Sequence, residues 1–91
     1  MVTLISYDLK QSGRDYSSLF EAIESYKVWS HPLESIWLVD SERTPGEIRD
    51  HLNKHIVDND NLFVVRLRKS WGSTRLTKEA IEWLKNANRT W

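Results

Sequence analysis

The sequence predicts an α+β sandwich, two helices crossing one face of a four-stranded sheet, on three observations. The first eight residues, Met1-Val-Thr-Leu-Ile-Ser-Tyr-Asp8, are a short apolar run whose alternation places Val2, Leu4 and Ser6 on one face and Thr3, Ile5 and Tyr7 on the other. Both faces are substantially apolar, as in a strand covered on two sides. Apolar residues then recur at helical spacing in Tyr16, Leu19, Phe20 and Ile23, and again in Ile48, Leu52 and Ile56. The runs around these two segments are rich in branched and aromatic residues and read as strands. The resulting order, strand-helix-strand-strand-helix-strand, is the split βαβ arrangement of a ferredoxin-like βαββαβ sandwich.

Each element has its own local reason. After Asp8, the polar stretch Leu9 to Asp15 turns at Gly13, and a helix runs from about Asp15 to Tyr26 with Glu21 and Glu24 outward. Two short strands follow, Val28 to His31 and Ser35 to Val39, joined around Pro32-Leu-Glu34. Thr44, Pro45 and Glu47 form the strongest local signal: an N-cap, a proline at the first helical position and an acid three residues after the cap. The helix they start is expected to reach about Val57. Asp58-Asn-Asp-Asn61 is a turn cluster, and Leu62 to Arg68 is the last strand. Beyond a core of about residues 1–69, the extension 70–91 carries an extra C-terminal helix from about Thr77 to Asn86, with Ala80, Ile81 and Leu84 as its apolar stripe.

Ninety-one residues make a single domain, near the lower limit for a self-sufficient core. The two helices cover only one face of the sheet, so the other must be covered by the C-terminal segment, by a second copy, or by both. A homodimer is therefore expected. With no cysteine, disulfides and thiolate metal sites are excluded. No apolar run approaches the roughly 20 residues that span a bilayer, and no basic region precedes a cleavable apolar stretch. No membrane partner is expected, and the expected location is cytoplasmic. The formal net charge of zero divides unevenly: residues 1–60 carry 6 Lys and Arg against 11 Asp and Glu, and residues 61–91 carry 7 against 2. A basic C-terminal third suits phosphates, or equally an acidic surface on the same fold or a partner.

Several stretches resemble a known family. The strand ending in Tyr7-Asp8, the polar loop with Arg14, the segment Ser35-Ile-Trp-Leu-Val39 and a last strand alternating Val and Arg are similar to the small CRISPR-associated ferredoxin-fold protein that partners the spacer integrase. VapD-type ribonuclease toxins share that fold. Leu4 to Leu9 and Ile48 to Leu52 look most like its stand-alone, uncharacterised homologues. The resemblance covers about residues 1 to 70 and implies a homodimer with sheets facing each other. It also implies, for some members, a metal-dependent nuclease in which the acid at the end of the first strand, here Asp8, holds a divalent cation with its symmetry mate. Other members bridge duplex DNA without cleaving it. The chain departs from the pattern in its Trp-rich end, and in having only Lys10 and Arg14 as basic residues soon after Asp8.

The candidate residues follow. Asp8 is the catalytic and metal candidate, since magnesium takes one or two carboxylates with waters and substrate phosphates; the alternative is a loop cap. Lys10, Arg14, Arg66, Arg68, Lys69 and Arg75, with Trp71 among them, suit nucleic-acid or nucleotide binding, charge for phosphate and an aromatic face for a base. Trp71 equally suits packing of the C-terminal segment. His51 and His55 have zinc-ligand spacing without a third ligand and read as a solvated helix edge. His31 could serve as a general base towards an RNA 2′-hydroxyl, or simply be a hydrogen-bonded strand residue. These residues support a dimer that binds RNA, DNA or a nucleotide, with phosphodiester hydrolysis as its enzymatic form. The alternatives are a non-catalytic nucleotide sponge and a toxin–antitoxin or phage-defence interaction protein.

Overall fold

β1, Val2–Asp8, is the strand on which the sheet is assembled, as its two apolar faces require. It pairs antiparallel with β3, Ile36–Asp40, on one side and with β4, Asn61–Arg66, on the other. β2, Trp29–Leu33, pairs with β3 at the edge, giving the order β2-β3-β1-β4. The helices α1, Ser17–Glu24, and α2, Pro45–Asn53, each cross over one intervening strand, which is the ferredoxin-like arrangement the sequence predicts. The C-terminal helix α3 spans Lys78–Lys85. The computed structural model describes residues 1–91.

Between the sheet and the first two helices lies the core. Ile5, Trp37 and Val39 rise from the strands to meet Tyr16, Leu19, Ala22 and Ile23 of the α1 region and Ile48 and Leu52 of α2. Ile5, Leu19, Ile23, Ile48 and Leu52 are completely buried, and each contributes roughly 1.5–3 kcal/mol. The capping box forms as expected: Glu47 N donates to Thr44 Oγ1 at 3.1 Å and Thr44 N to Glu47 Oε1 at 2.9 Å.

Boundaries depart from expectation for identifiable reasons. α1 stops at Glu24, because Lys27 turns the chain with φ 70°. α2 ends at Asn53 instead of Val57, whose N–H is taken by the Asp60 carboxylate at 3.0 Å. β2 continues through Pro32 rather than stopping at His31, since the register with β3 shifts between Ser30 and Leu33. On an edge strand beside a bulge, proline's missing donor breaks no ladder bond.

α3 folds over its own sheet, against β2, with Ala80 and Leu84 buried on the face that also holds Val2, Ser30 and Leu38. The chain end follows it back: Val2 N donates to Thr90 O at 2.7 Å. Only part of this second face is covered. Leu4, Ile36 and Val65 remain half-exposed, while Leu33 is 51% and Phe63 63% exposed. No helix is long and apolar enough to cross a membrane.

Candidate functional site

Two regions at opposite ends of β1 divide the residues singled out from the sequence. β1 and β4 run antiparallel with Asp8 opposite Asn61 and Thr3 opposite Arg66. Asp8, Lys10 and Arg14 therefore belong to one end of the sheet, and Arg66, Arg68 and Lys69 to the other, roughly 17 Å away for a five-residue strand separation. One copy of the chain cannot gather Asp8, Arg66 and Arg68 around one phosphate.

At the first end, Asp8 is exposed and its carboxylate meets Lys10 Nζ at 2.7 Å. It lines a cleft of about 460 Å³ with Tyr7, Leu9, Phe20, Glu34 and Ser35. Nowhere do three His, Asp or Glu side chains gather as a ready cation cage. Asp8 and Glu34 both line this cleft and give it two negative charges. Arg14 sits on the neighbouring loop, its guanidinium 5.5 Å from the Tyr16 ring centre. That loop is held by a residue with no distinguishing local pattern, Asp60. Asp60 accepts from Lys10 N at 2.8 Å, from the Tyr16 hydroxyl at 2.8 Å and from Val57 N at 3.0 Å. Burial opposes its ionisation, but these donors outweigh it and hold its pKa below the ordinary carboxylate value.

Aromatic side chains build the wall behind Asp8. Trp37, 3% exposed, is stacked by His31 at 3.8 Å and flanked by Trp29 at 5.3 Å and Phe20 at 6.1 Å. Two residues apart in β2, Trp29 and His31 point to the same side of the sheet as Trp37 and Val39, so both lie against the Trp37 ring. Trp37 Nε1 donates to the Tyr7 hydroxyl at 3.1 Å, which donates to Glu34 O at 3.1 Å. His31 Nε2 lies 2.9 Å from the same carbonyl. A carbonyl only accepts, so this nitrogen carries the proton. Burial pushes the Tyr7 pKa above the ordinary phenol value, against the lowering by the Trp37 hydrogen bond and with a smaller push from the Glu34 charge.

At the other end, Lys69 and Trp71 come together with Lys85 and Trp91, which the sequence reading missed. With Leu84, Asn86, Ala87 and Arg89 they line a cleft of about 220 Å³ that contains no carboxylate side chain. Arg89 is already engaged: Nε donates to Trp83 O at 2.8 Å, the guanidinium lies 4.4 Å from the Trp83 ring centre, and Nη1 is 3.7 Å from Asp40. Lys69 and Lys85 form no ion pair, so their charges are available to a ligand. Trp71 is half-buried, so it both packs the extension and shows part of its ring. Arg66 and Arg68 are exposed alongside. Arg75 lies in the exposed connection before α3, with φ 60°. The clue in the sequence was an aromatic and a lysine closing the chain, unreadable without knowing that α3 folds back.

The histidine pair is not the solvated edge expected. His51 Nδ1 shares a hydrogen bond with the Tyr26 hydroxyl at 2.8 Å, and the His51 and His55 rings meet edge to face at 5.9 Å. Burial first, then the charges of His55, Arg43 and Lys54, lower the His51 pKa. In comparisons with known proteins, no family model matches the chain and no solved structure matches it.

Proposed function

We propose that this protein is a homodimer that binds nucleic acid or a nucleotide through the basic, aromatic end of its sheet. The observation that carries the reading is the convergence of Lys69, Trp71, Lys85 and Trp91 on one cleft lined by no acidic side chain. Two ammonium groups answer phosphate charge, and the tryptophan faces offer stacking. At about 220 Å³ the cleft suits one phosphate or one ring, so Arg66 and Arg68 outside it would take the remaining charge. Dimerisation is supported by the half-open second face, where Phe63 and Leu33 would otherwise leave apolar surface in water.

Fluorescence titration with single-stranded RNA, single-stranded DNA and mononucleotides at several salt concentrations tests the reading. Lys69→Ala with Lys85→Ala should weaken polynucleotide binding and lower the slope of log K against log salt by about 1.4. Unchanged affinity and slope would remove the cleft from the binding surface.

A nuclease reading has one specific observation in its favour: Asp8 projects on the same sheet face as Ser6 and Phe63, the face left open. Copies paired through that face would bring Asp8 near its symmetry mate, in line with the resemblance to CRISPR-associated and VapD-type proteins. Asp8 and its mate would hold a magnesium ion, which when bound supplies charge neutralisation at phosphate. Lys10 and Arg14 would then orient the phosphate, since Arg66 and Arg68 of the same subunit are at the far end. Magnesium-dependent cleavage that is equal in wild type and Asp8→Asn would sink this reading while leaving the binding reading intact.

A further inference from the structure

The cleft beside Asp8 has walls that neither phosphate nor a hydrated metal ion would use. Tyr7 and Phe20 are both half-buried, their ring centres 5.9 Å apart and their planes inclined at 37°. Asp8 and Glu34 line the same space, and no basic side chain does. The walls are set before any ligand arrives. Tyr7 is held by Trp37 Nε1 and by Glu34 O, the latter also held by His31, while Phe20 packs on the buried Trp37.

We propose that this cleft binds a small organic cation, an alkylammonium or a guanidinium, between the Tyr7 and Phe20 rings and the carboxylates of Asp8 and Glu34. Ring faces carry negative potential and attract a cation within about 6 Å of their centres. Carboxylates supply the opposite charge, and Leu9 supplies apolar contact for an alkyl part. Anions are disfavoured here by both acids. A magnesium ion keeps its tightly held waters and so gains little from aromatic faces. At about 460 Å³ the cleft is of a size that small-molecule sites use. An ammonium already stands at its rim: Lys10 Nζ, 2.7 Å from Asp8. A ligand cation must compete with that side chain, while the Lys10 backbone stays tethered to Asp60. The inference is independent of the phosphate cleft at the opposite end of β1.

The test is a titration of the full chain with tetramethylammonium, butylammonium and methylguanidinium chlorides, following the indole N–H resonance of Trp37, which is bonded to the Tyr7 wall. The expected result is a saturable shift with at least one of these cations at concentrations on the order of 10 mM or below, and none with sodium chloride. Phe20→Leu and Glu34→Gln should each weaken binding roughly fivefold. Lys10→Met should tighten it roughly twofold by removing the resident competitor. Glu34 is an exposed turn residue, so its variant remains informative if Phe20→Leu fails to fold. The proposal is overturned if no organic cation gives a saturable shift, if only magnesium chloride does, if both wall variants bind as wild type, or if Lys10→Met weakens binding.

Discussion

Thr3 shows how a single polar atom can oppose the fold that surrounds it. It occupies β1 on the helix-covered face, opposite Val39, is completely buried, and its hydroxyl has no hydrogen-bond partner. A buried hydroxyl without a partner costs its desolvation in full. Thr3→Val keeps the shape and β-branching and removes that cost, so stability should rise by about 1 kcal/mol and the melting temperature by about 5 °C. Thermal melts of the two chains measure this directly, and a lower melting temperature for the valine chain would mean the hydroxyl is satisfied. The same scale marks what could be read from sequence. Asp8 at the end of a strand was legible because the apolar run stops there. Asp60 was not, because two of its partners, Lys10 and Tyr16, are 50 and 44 residues distant.

Among the elements, α1 ends under strain. Lys27 adopts φ 70°, a left-handed conformation that costs an ordinary side chain free energy and costs glycine none. The side chain is exposed, so little contact is lost with it. Lys27→Gly should stabilise the fold by about 0.5–1 kcal/mol, whereas Lys27→Ala, still strained, should not. Chemical denaturation of the three chains separates the cases: equal midpoints for Gly and Ala would show that the turn stores no strain. Helix starts were plain in the sequence, since Thr44-Pro-Gly-Glu47 and Thr77 cap α2 and α3 through local bonds. Ends were less so, because Asn53 and Glu24 are followed by residues that distant or unusual backbone geometry claims. The β2 bulge was hidden for a related reason: Pro32 signals an interruption but not that the strand resumes its pairing with β3 at Leu33.

For the molecule as a whole, the ferredoxin-like order was legible from periodicity, and it already implied that Asp8 and Arg66 lie at opposite ends. What periodicity could not place was the C-terminal return, which depends on Asp40. That carboxylate accepts from Thr90 N at 2.8 Å and from the Thr90 hydroxyl, and from the Met1 amino group at 2.9 Å, with the Arg89 guanidinium 3.7 Å away. Burial opposes its charge, yet the Thr90 and amino-group bonds prevail and its pKa is lowered. A depressed carboxyl contributes stability that is present above its unfolded value and lost as pH falls through its folded one. The C-terminal segment should therefore loosen below about pH 4, and Asp40→Asn should be less stable at neutral pH and lose less on acidification. Hydrogen exchange of the Thr90 amide as a function of pH reads this out, and a pH-independent Thr90 would contradict it.

The bond from Val2 N to Thr90 O has a topological meaning as well. With the two ends of the chain side by side on β1, the path of the backbone nearly closes on itself. A linker of a few residues from Trp91 to Met1 would complete the loop without displacing any strand or helix. New termini could then be opened in the exposed stretch Gly72–Arg75, which joins β4 to α3 outside the regular elements. In such a permuted chain α3 would precede β1 and enter the sheet from the front. The order in which sheet and covering helix are made would be reversed, while the contacts between them stayed the same.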